Sequence, residues 1–192
     1  FHIAGDVAPG SRIRILDSTV HHLVGCGTDG ACGPCYNGHS DGLELQTTDD
    51  VVIRGCLFYD IESTSALITG QWSPGNYTRN LVLENNIFYT AATGLTVYLY
   101  YVQGARVVHN VIWGRTQGAR YGGLAIGPEV TDLELHNNII LNINYNHLGG
   151  SFDPVNHHID YNLFGMIADT EYTAAPNDIV CASDGGIWFT DP

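Results

Sequence analysis

The stretch "LVLENNIFYT", residues 81–90, places two adjacent asparagines inside an otherwise apolar, strand-like run. Asparagine is depleted in strands and favours turns, so its presence here needs a reason. Similar stretches follow: "VVHNVIWG" (107–114), "LELHNNIILN" (133–142) and "HIDYNLFG" (158–165). Aligned on the second asparagine of the first stretch, they are spaced by 24, 28 and 24 residues, which indicates a structural repeat.

The repeat extends toward the N-terminus with other residues in place of asparagine. "VVIRGCLFYD" and "IRILDSTVHH" fit the same frame at spacings of 30 and 38 residues. We call the shared position of the repeat the asparagine position. Its occupants are Ser18, Cys56, Asn86, Asn110, Asn138 and Asn162. Units this short and this rich in β-forming residues favour stacked strands over stacked helix pairs.

Stacking explains how asparagine is tolerated in apolar surroundings. Equivalent residues of successive coils lie about 4.8 Å apart, so each side-chain amide can hydrogen-bond to the amides above and below it. The apolar residues that follow, such as Ile87, Val111, Ile139 and Leu163, are expected to stack into the core. The spacing is too long for hairpins, and no Asn-Gly or Asp-Gly turn recurs between the paired runs.

Each unit also contains an earlier strand that begins near a glycine or alanine. The matching segments are 42–46, 66–70, 94–98, 123–127 and 147–151. Alternation predicts that Leu43 and Leu45 face inward and that Glu44 and Gln46 face outward. The equivalent outward residues in 94–98 are Thr96 and Tyr98, and "QGA" at 103–105 is expected to be a turn.

Composition narrows the class of protein. The chain has 192 residues, 44% of them hydrophobic, which predicts a single domain over 1–192. Twenty acidic residues against seven basic ones, all arginine, give a net charge of −13. This charge argues against binding nucleic acid or anionic lipid. No run of 18 apolar residues is present in the sequence, so no membrane insertion is expected.

Cysteines cluster near the N-terminus. Cys26, Cys32 and Cys35 lie in "CGTDGACGPCYNGH", which favours a disulfide-stapled loop in a secreted, extracellular protein. A zinc site that adds one histidine is the alternative, although the second paired half of such a motif is missing. Cys56 occupies the asparagine position and is expected to be a buried free thiol.

The repeated "NNIF", "HNVIW", "HNNII" and "YNLF" motifs, together with "GHSDGLELQTTDDVVIRGCLF" at 38–58, resemble the pectate-lyase-like superfamily. The resemblance covers about residues 11–165. It implies an all-β, right-handed parallel β-helix of about six coils with an asparagine ladder. It also implies that the chain lacks parts of one or both end caps. The superfamily contains lyases, hydrolases, epimerases, tailspikes and adhesins, so the fold leaves the activity open.

Polar residues concentrate in "HSDGLELQ", which resembles the substrate-facing strand of that superfamily. His39, Asp41 and Glu44 are the candidate catalytic residues there, because a carboxylate near a histidine can act as general acid and base on a sugar. The structural alternative is that Asp41 caps a turn and His39 satisfies it.

Two chemistries are open. Hydrolysis needs two carboxylates about 5–10 Å apart; Asp41 and Glu44 have opposite parity, so Glu44 would have to pair with Glu129 or a loop acid. Family lyases often combine calcium with lysine or arginine, and here Arg120 is the best-placed arginine. Calcium could bind Asp49 and Asp50 or the acids of 28–41, although adjacent acids before a strand are more often solvated turn residues.

Aromatic side chains suggest a platform for sugar rings. "GQWSPGNY" and "TVYLYY" put several of them near the outer face or a protruding loop over 71–79, and the alternative is that they brace that loop. The predicted substrate-binding residues are Gln46, Trp72, Thr96, Tyr98, Tyr100 and Glu129. The histidine pairs at 21–22 and 157–158 should point to opposite faces and are not expected to chelate a metal.

The sequence therefore predicts a secreted protein that acts on an extracellular polysaccharide, as a lyase or a glycoside hydrolase. The alternative is a non-catalytic β-helix that binds glycans or builds a surface or fibre. The sequence leaves open which sugar is bound and the oligomeric state.

Overall fold

The computed structural model describes residues 2–4, 10–23, 41–61, 65–70, 75, 77–89, 95–114, 122–127, 129–141, 157–167, 179–182 and 187–189. In these ranges the chain is all β, with nineteen strands in three sheets and no helix. No described helix therefore has the length and apolar character needed to cross a bilayer.

The strands fall into three sheets that recur in order along the chain. Sheet A contains β1 (His2–Ala4), β4 (Leu43–Gln46), β7 (Leu67–Thr69), β10 (Leu95–Leu99) and β13 (Gly122–Ile126). Sheet B contains β2 (Gly10–Leu16), β5 (Thr48–Arg54), β8 (Thr78–Glu84), β11 (Val102–Val108), β14 (Val130–His136) and β16 (His157–Asp160). Sheet C contains β3 (Thr19–Leu23), β6 (Leu57–Ile61), β9 (Ile87–Tyr89), β12 (Val111–Trp113), β15 (Ile139–Leu141), β17 (Leu163–Ile167), β18 (Ile179–Ala182) and β19 (Ile187–Phe189).

Neighbouring strands in each sheet are parallel and in register. Val102 of β11, for example, lies between Thr78 of β8 and Val130 of β14. The exceptions among the described strands lie toward one edge of sheet C, where the register between β17 and β18 shifts at Gly165–Ile167 and β19 pairs antiparallel with β18. Stacked parallel sheets in constant register are consistent with a parallel β-solenoid.

The core lies between the three sheets and consists of inward-facing aliphatic and aromatic side chains. Leu45 of sheet A, Ile53 of sheet B and Phe58 of sheet C are fully buried. Phe58 and Phe88 occupy matching positions in adjacent strands, and their rings stack with centroids 4.9 Å apart. Like residues therefore pack on like residues along the stack.

The turn between sheets B and C repeats one backbone conformation. The residue before the asparagine position has a left-handed φ, between 47° and 66°, in six successive units. These residues are Asp17, Gly55, Asn85, His109, Asn137 and Tyr161. Asn85 therefore makes the bend, a conformation that asparagine tolerates better than most residues. The adjacent asparagines of the sequence have different structural roles.

The second asparagine of each pair is buried and bonded to its equivalents. Asn86 Nδ2 donates to Asn110 Oδ1 at 3.0 Å, and Asn110 Nδ2 donates to Asn138 Oδ1 at 3.0 Å. Asn138 Nδ2 in turn donates to Asn162 Oδ1 at 2.9 Å. Each of these oxygens also accepts a backbone N–H from the preceding unit, so the side chains hold the backbone at the bend.

Cys56 ends this run of asparagines. Its N–H donates to Asn86 Oδ1 at 2.9 Å, and its thiol lies 3.3 Å from the Arg54 carbonyl oxygen. The prediction of a buried free thiol is confirmed. Cys26, Cys32 and Cys35, on which the disulfide and zinc alternatives depend, lie outside the described residues.

The residues after the asparagine position do not enter the core, and this prediction was wrong. Ile87 and Ile139 are 48% and 38% exposed. The next residue, such as Phe88 or Ile112, is the buried one. The alternation of inward and outward residues restarts after the bend. The asparagine faces inward, so the residue that follows it must face outward.

"QGA" at 103–105 is not a turn but part of β11. Gly104 has φ 75°, and the matching residues Arg12, Asp50, Asn80 and Asp132 are left-handed as well. A left-handed residue at the same place in each of these strands kinks the strand without ending it, and the register is unchanged because the residues on both sides pair one to one. Sheet B carries this kink in five stacked strands of the described chain.

Candidate functional site

The outer face of sheet A carries the residues that the sequence singled out. In the observed register Glu44 pairs with Ile68, Ile68 with Tyr98, and Tyr98 with Ala125. Leu43 and Leu45 are buried, while Glu44 and Gln46 between and beyond them are half-buried. The outer face is therefore polar on β4 and aromatic on β10.

The predicted alignment of the third strand was off by two residues. It placed Thr96 beside Glu44, whereas Tyr98 is the residue in that column. Thr96 is only 1% exposed and lies opposite Gly123, where an added Cβ would sit 3.0 Å from Ile140 of the core. Thr96 is therefore buried and is not accessible on the outer face.

Glu44 and Gln46 form a polar pair on β4. Gln46 Nε2 donates to Glu44 Oε1 at 2.5 Å, which orients the carboxylate along the strand. The two side chains project from the same face because they are two residues apart. They present carboxylate and amide oxygens to anything that lies on this sheet.

A contiguous cluster of four tyrosines begins two strands away. The rings of Tyr98 and Tyr100 have centroids 5.3 Å apart, and those of Tyr100 and Tyr101 are 4.6 Å apart. Tyr77 continues the series with an edge contact of 5.7 Å to Tyr101. All three contacts are steep, between 74° and 89°, as aromatic edges and faces prefer.

The backbone of Tyr100 is fixed by a buried threonine. Thr69 Oγ1 donates to the Tyr100 carbonyl at 3.0 Å and accepts its N–H at 2.8 Å. Gly70 has φ 56°, and a Cβ there would lie 2.1 Å from the Tyr100 oxygen. A Cβ on Gly127 would lie 2.3 Å from the Tyr100 ring. The Tyr100 backbone therefore requires glycine at position 70, and its ring requires glycine at position 127.

Tyr77 is held at the rim of the cluster by charged residues. Its hydroxyl donates to the Glu129 carboxylate, and the Arg79 guanidinium lies 5.5 Å from its ring centroid. Arg79 Nε also donates to Gln103 Oε1 at 3.0 Å. These contacts connect Glu129 to the tyrosines rather than to Glu44.

The surroundings of Tyr77, Tyr98 and Tyr101 raise the pKa of their phenols and so favour the protonated form. Burial raises the pKa of Tyr98 and of Tyr101, and neighbouring Tyr100 adds to both shifts. The pKa of Tyr77 is raised chiefly by its hydrogen bond to Glu129. Neutral hydroxyls that can donate and accept suit the recognition of sugar hydroxyls.

Asp41 has a structural partner. Its Oδ1 accepts the Ser65 N–H at 2.9 Å, and Gly42 N donates to the Ser65 carbonyl at 2.9 Å. Asp41 thus links the start of β4 to the segment before β7, the turn-capping role that the sequence offered as an alternative.

Asp49 and Asp50 point to different partners. Asp49 Oδ1 accepts from Asn80 Nδ2 at 2.8 Å, while Asp50 Oδ1 pairs with the Arg14 guanidinium at 2.7 Å. Asp50 has the left-handed φ of the sheet B kink, which separates it from its neighbour. No group of three side chains suited to a metal ion occurs among the described residues.

Glu44 and Glu129 have different hydrogen-bond donors: Gln46 donates to Glu44, and Tyr77 donates to Glu129. Glu129 follows β13, which is three strands from β4 in sheet A. Strands three apart in a sheet lie about 14 Å from one another, and the pairing of Glu44 with Glu129 for hydrolysis remains a prediction. His39, Trp72 and Arg120 lie outside the described residues.

The histidine pairs behave differently from one another. His157 is buried and contacts the Val130 carbonyl at 2.8 Å, while His158 is exposed, as alternation predicts. His21 and His22 are both exposed and their rings touch, so the prediction of opposite faces was wrong for this pair. The left-handed φ of His22 turns it to the same side as its neighbour.

Three features of the site escaped the sequence reasoning: Thr69, Gly70 and the buried Tyr101. The motif "ITG" at 68–70 offered a signal, because a threonine followed by glycine at a strand end is typical of a bend held by a side chain. No family model, curated protein or solved structure matches this chain.

Proposed function

We propose that this chain is a right-handed parallel β-helix of the pectate-lyase-like type, a single domain over 1–192 with about six coils and an asparagine ladder. The parallel register of sheets A, B and C supports this proposal, as do the bonds between successive asparagine side chains. In this proposal the protein is secreted, and its partner is an extracellular polysaccharide.

The proposed function is binding of that polysaccharide across the outer face of sheet A. The observation that supports it best is the continuous tyrosine cluster that begins two strands from the Glu44–Gln46 pair. Aromatic rings bury the apolar faces of sugars, while carboxylate and amide groups accept and donate to their hydroxyls. Both kinds of group lie on one face, two strands apart.

Charge favours an uncharged polymer. The net charge of −13 repels an acidic chain, and the described arginine nearest the tyrosines, Arg79, is already held by Gln103 and Tyr77. An acidic polymer would need calcium to bridge the two negative partners. The predicted calcium site at Asp49 and Asp50 remains a prediction, and the Arg14 pairing weakens Asp50 as a ligand.

Catalysis, as a lyase or a glycoside hydrolase, is the second candidate function. Glu44 favours it, because Gln46 orients a carboxylate on the same face as the tyrosines. The catalytic hypothesis adds His39, Asp41 and Arg120, and Asp41 is already engaged with Ser65. Binding therefore has the stronger support among the described residues.

The test is a panel of neutral and acidic polysaccharides, measured for binding by affinity electrophoresis and for cleavage by new reducing ends and unsaturated-uronate absorbance. Tyr98→Ala should weaken binding about tenfold, because it removes a ring from the cluster. Glu44→Gln keeps the shape and removes the charge, so it should abolish cleavage while changing binding little. Arg106→Ala on sheet B, whose side chain is also exposed, is the matched control.

Equal binding by Tyr98→Ala and the native chain would refute the sheet A site. Cleavage by the native chain that Glu44→Gln retains would refute the assigned catalytic role. No binding and no cleavage on any polymer, with and without calcium, would refute the polysaccharide as partner.

A further inference from the structure

The outer face of sheet C carries a row of aromatic side chains, which is separate from the proposed binding site on sheet A. Tyr59, Tyr89 and Trp113 occupy the same outward position in β6, β9 and β12. Tyr89 is 45% exposed and Trp113 is 44% exposed, and their ring centroids lie 5.2 Å apart. At the near end, Tyr59 stacks on His21 with centroids 5.0 Å apart and planes 8° from parallel.

An aliphatic row runs beside the aromatic one. Ile87, Val111 and Ile139 share an outward position two residues earlier in β9, β12 and β15. The residues between the two rows, such as Phe88 and Ile112, are fully buried. The apolar side chains on this face are therefore not extensions of the core but a separate surface exposed to solvent.

A polar row borders the aliphatic row at the bend. Asn85, His109 and Asn137 precede the asparagine position, have left-handed φ values and are exposed. Together the three rows form a surface that we call the sheet C stripe, with amide and imidazole groups on one side and aromatic rings on the other. Their spacing along the stack is the strand spacing of about 4.8 Å.

We propose that the sheet C stripe is a second binding surface and that it holds an extended, uncharged polysaccharide. The apolar faces of successive sugars would lie on the aromatic and aliphatic rows, and their hydroxyls would meet the amides of Asn85 and Asn137. An extended chain fits because each row continues through three strands at one spacing. This surface is independent of the sheet A function.

The charge of the protein favours an uncharged ligand on the sheet C stripe. None of the nine residues of the stripe is an acid, a lysine or an arginine. With a net charge of −13, the chain repels anionic lipid, acidic polymers and a second copy of itself. An uncharged polymer incurs no such repulsion, and its hydroxyls match the polar row, which a lipid surface would leave unpaired.

The experiment measures retention of the full chain on three insoluble uncharged polymers: cellulose, chitin and starch granules. The native chain should bind at least one of them, and the Tyr89→Ala/Trp113→Ala variant should bind it about tenfold more weakly. Trp113→Phe keeps a ring and should retain most of the binding. Arg106→Ala, exposed on sheet B, should bind like the native chain.

Tyr98→Ala on sheet A separates this proposal from the proposed function. If retention falls in the sheet C variant and persists in Tyr98→Ala, the stripe binds by itself. The proposal is overturned if the sheet C variant binds every polymer like the native chain, or if the native chain binds none. It is also overturned if the variant converts a dimer to a monomer in sedimentation velocity, or loses binding only to phosphatidylserine vesicles or polygalacturonate.

Discussion

Two neighbouring asparagines, Asn85 and Asn86, show how much one position can change a residue's role. Asn85 is exposed and supplies the left-handed bend, while Asn86 is buried and bonded to Asn110. Asparagine suits both roles, since it tolerates positive φ and its amide both donates and accepts. The sequence identified the repeat, but the division of roles depends on which of the two faces the interior.

Replacing Asn110 by alanine should lower the free energy of unfolding by about 2–4 kcal/mol, because the bonds to Asn86, Asn138 and the Leu83 carbonyl are lost in a buried site. The matched control is Asn137→Gly, at an exposed bend where glycine fits, with an expected change within about 0.5 kcal/mol. Urea denaturation measures both. Equal losses in the two variants would contradict the buried role.

Tyr98 makes the stability of the protein depend on pH in the alkaline range. Its pKa is raised above the ordinary 10.0 by burial and by Tyr100, so the folded state holds the phenolic proton more tightly than the unfolded state. The stabilisation is fully present below pH 10 and is lost as the pH rises through the folded-state pKa. Urea midpoints from pH 8 to 11.5 should fall, and should fall less in Tyr98→Phe. An unchanged slope in that variant would contradict this assignment.

The alternation of buried and exposed residues predicts facing correctly within a strand but not across the bend between two strands. Inside β4 the pattern predicted from sequence is correct, since Leu43 and Leu45 are buried and Glu44 is not. Across the bend it fails, because both the left-handed residue and the buried asparagine intervene before β9 begins. An alternation count cannot pass through a residue with positive φ, which turns the strand direction.

Phe88→Ala and Ile87→Ala therefore have opposite expectations although they are neighbours. Phe88 is fully buried against Phe58, so its truncation should cost about 3–5 kcal/mol. Ile87 is 48% exposed, so the same change there should cost less than about 1 kcal/mol. Thermal and urea unfolding compare them directly. A larger loss of stability for Ile87→Ala than for Phe88→Ala would support the sequence-based prediction that Ile87 lies in the core.

The two-residue error in the predicted register of β10 also comes from an interaction that the alternation pattern does not show. "GLTVY" resembles "GLELQ", which favours pairing Thr96 with Glu44. The actual register follows from Thr69, which bonds both backbone groups of Tyr100. A shift of two residues keeps the parity, so Tyr98 still faces outward. The sequence thus predicted the facing of Tyr98 correctly but not its neighbours.

Across the whole molecule, the net charge of −13 opposes the compact state by self-repulsion. Exposed ion pairs such as Arg14–Asp50 and Arg54–Glu84 offset little of this, since such pairs contribute about 0–1 kcal/mol each. Screening should therefore stabilise the protein, and 0.5 M NaCl should raise the melting temperature by a few degrees.

Calcium separates general screening from specific binding. At matched ionic strength, CaCl₂ should stabilise the native chain more than NaCl if Asp49 and Asp50 bind the ion, and the difference should disappear in Asp49→Asn/Asp50→Asn. Calorimetry in the two salts measures it. Identical melting temperatures in NaCl and CaCl₂ would contradict the prediction that Asp49 and Asp50 bind calcium.

The sequence by itself determined that strands stack in parallel with a repeating asparagine, because stacked equivalents can satisfy amides that are buried in an apolar run. It also determined the facing of β4, since alternation is local. Only the tertiary structure decided which residues meet across strands: the tyrosine cluster held by Thr69, and the three rows on sheet C. Register and the left-handed bends control those contacts, and both arise from hydrogen bonds between residues about 25 to 30 positions apart.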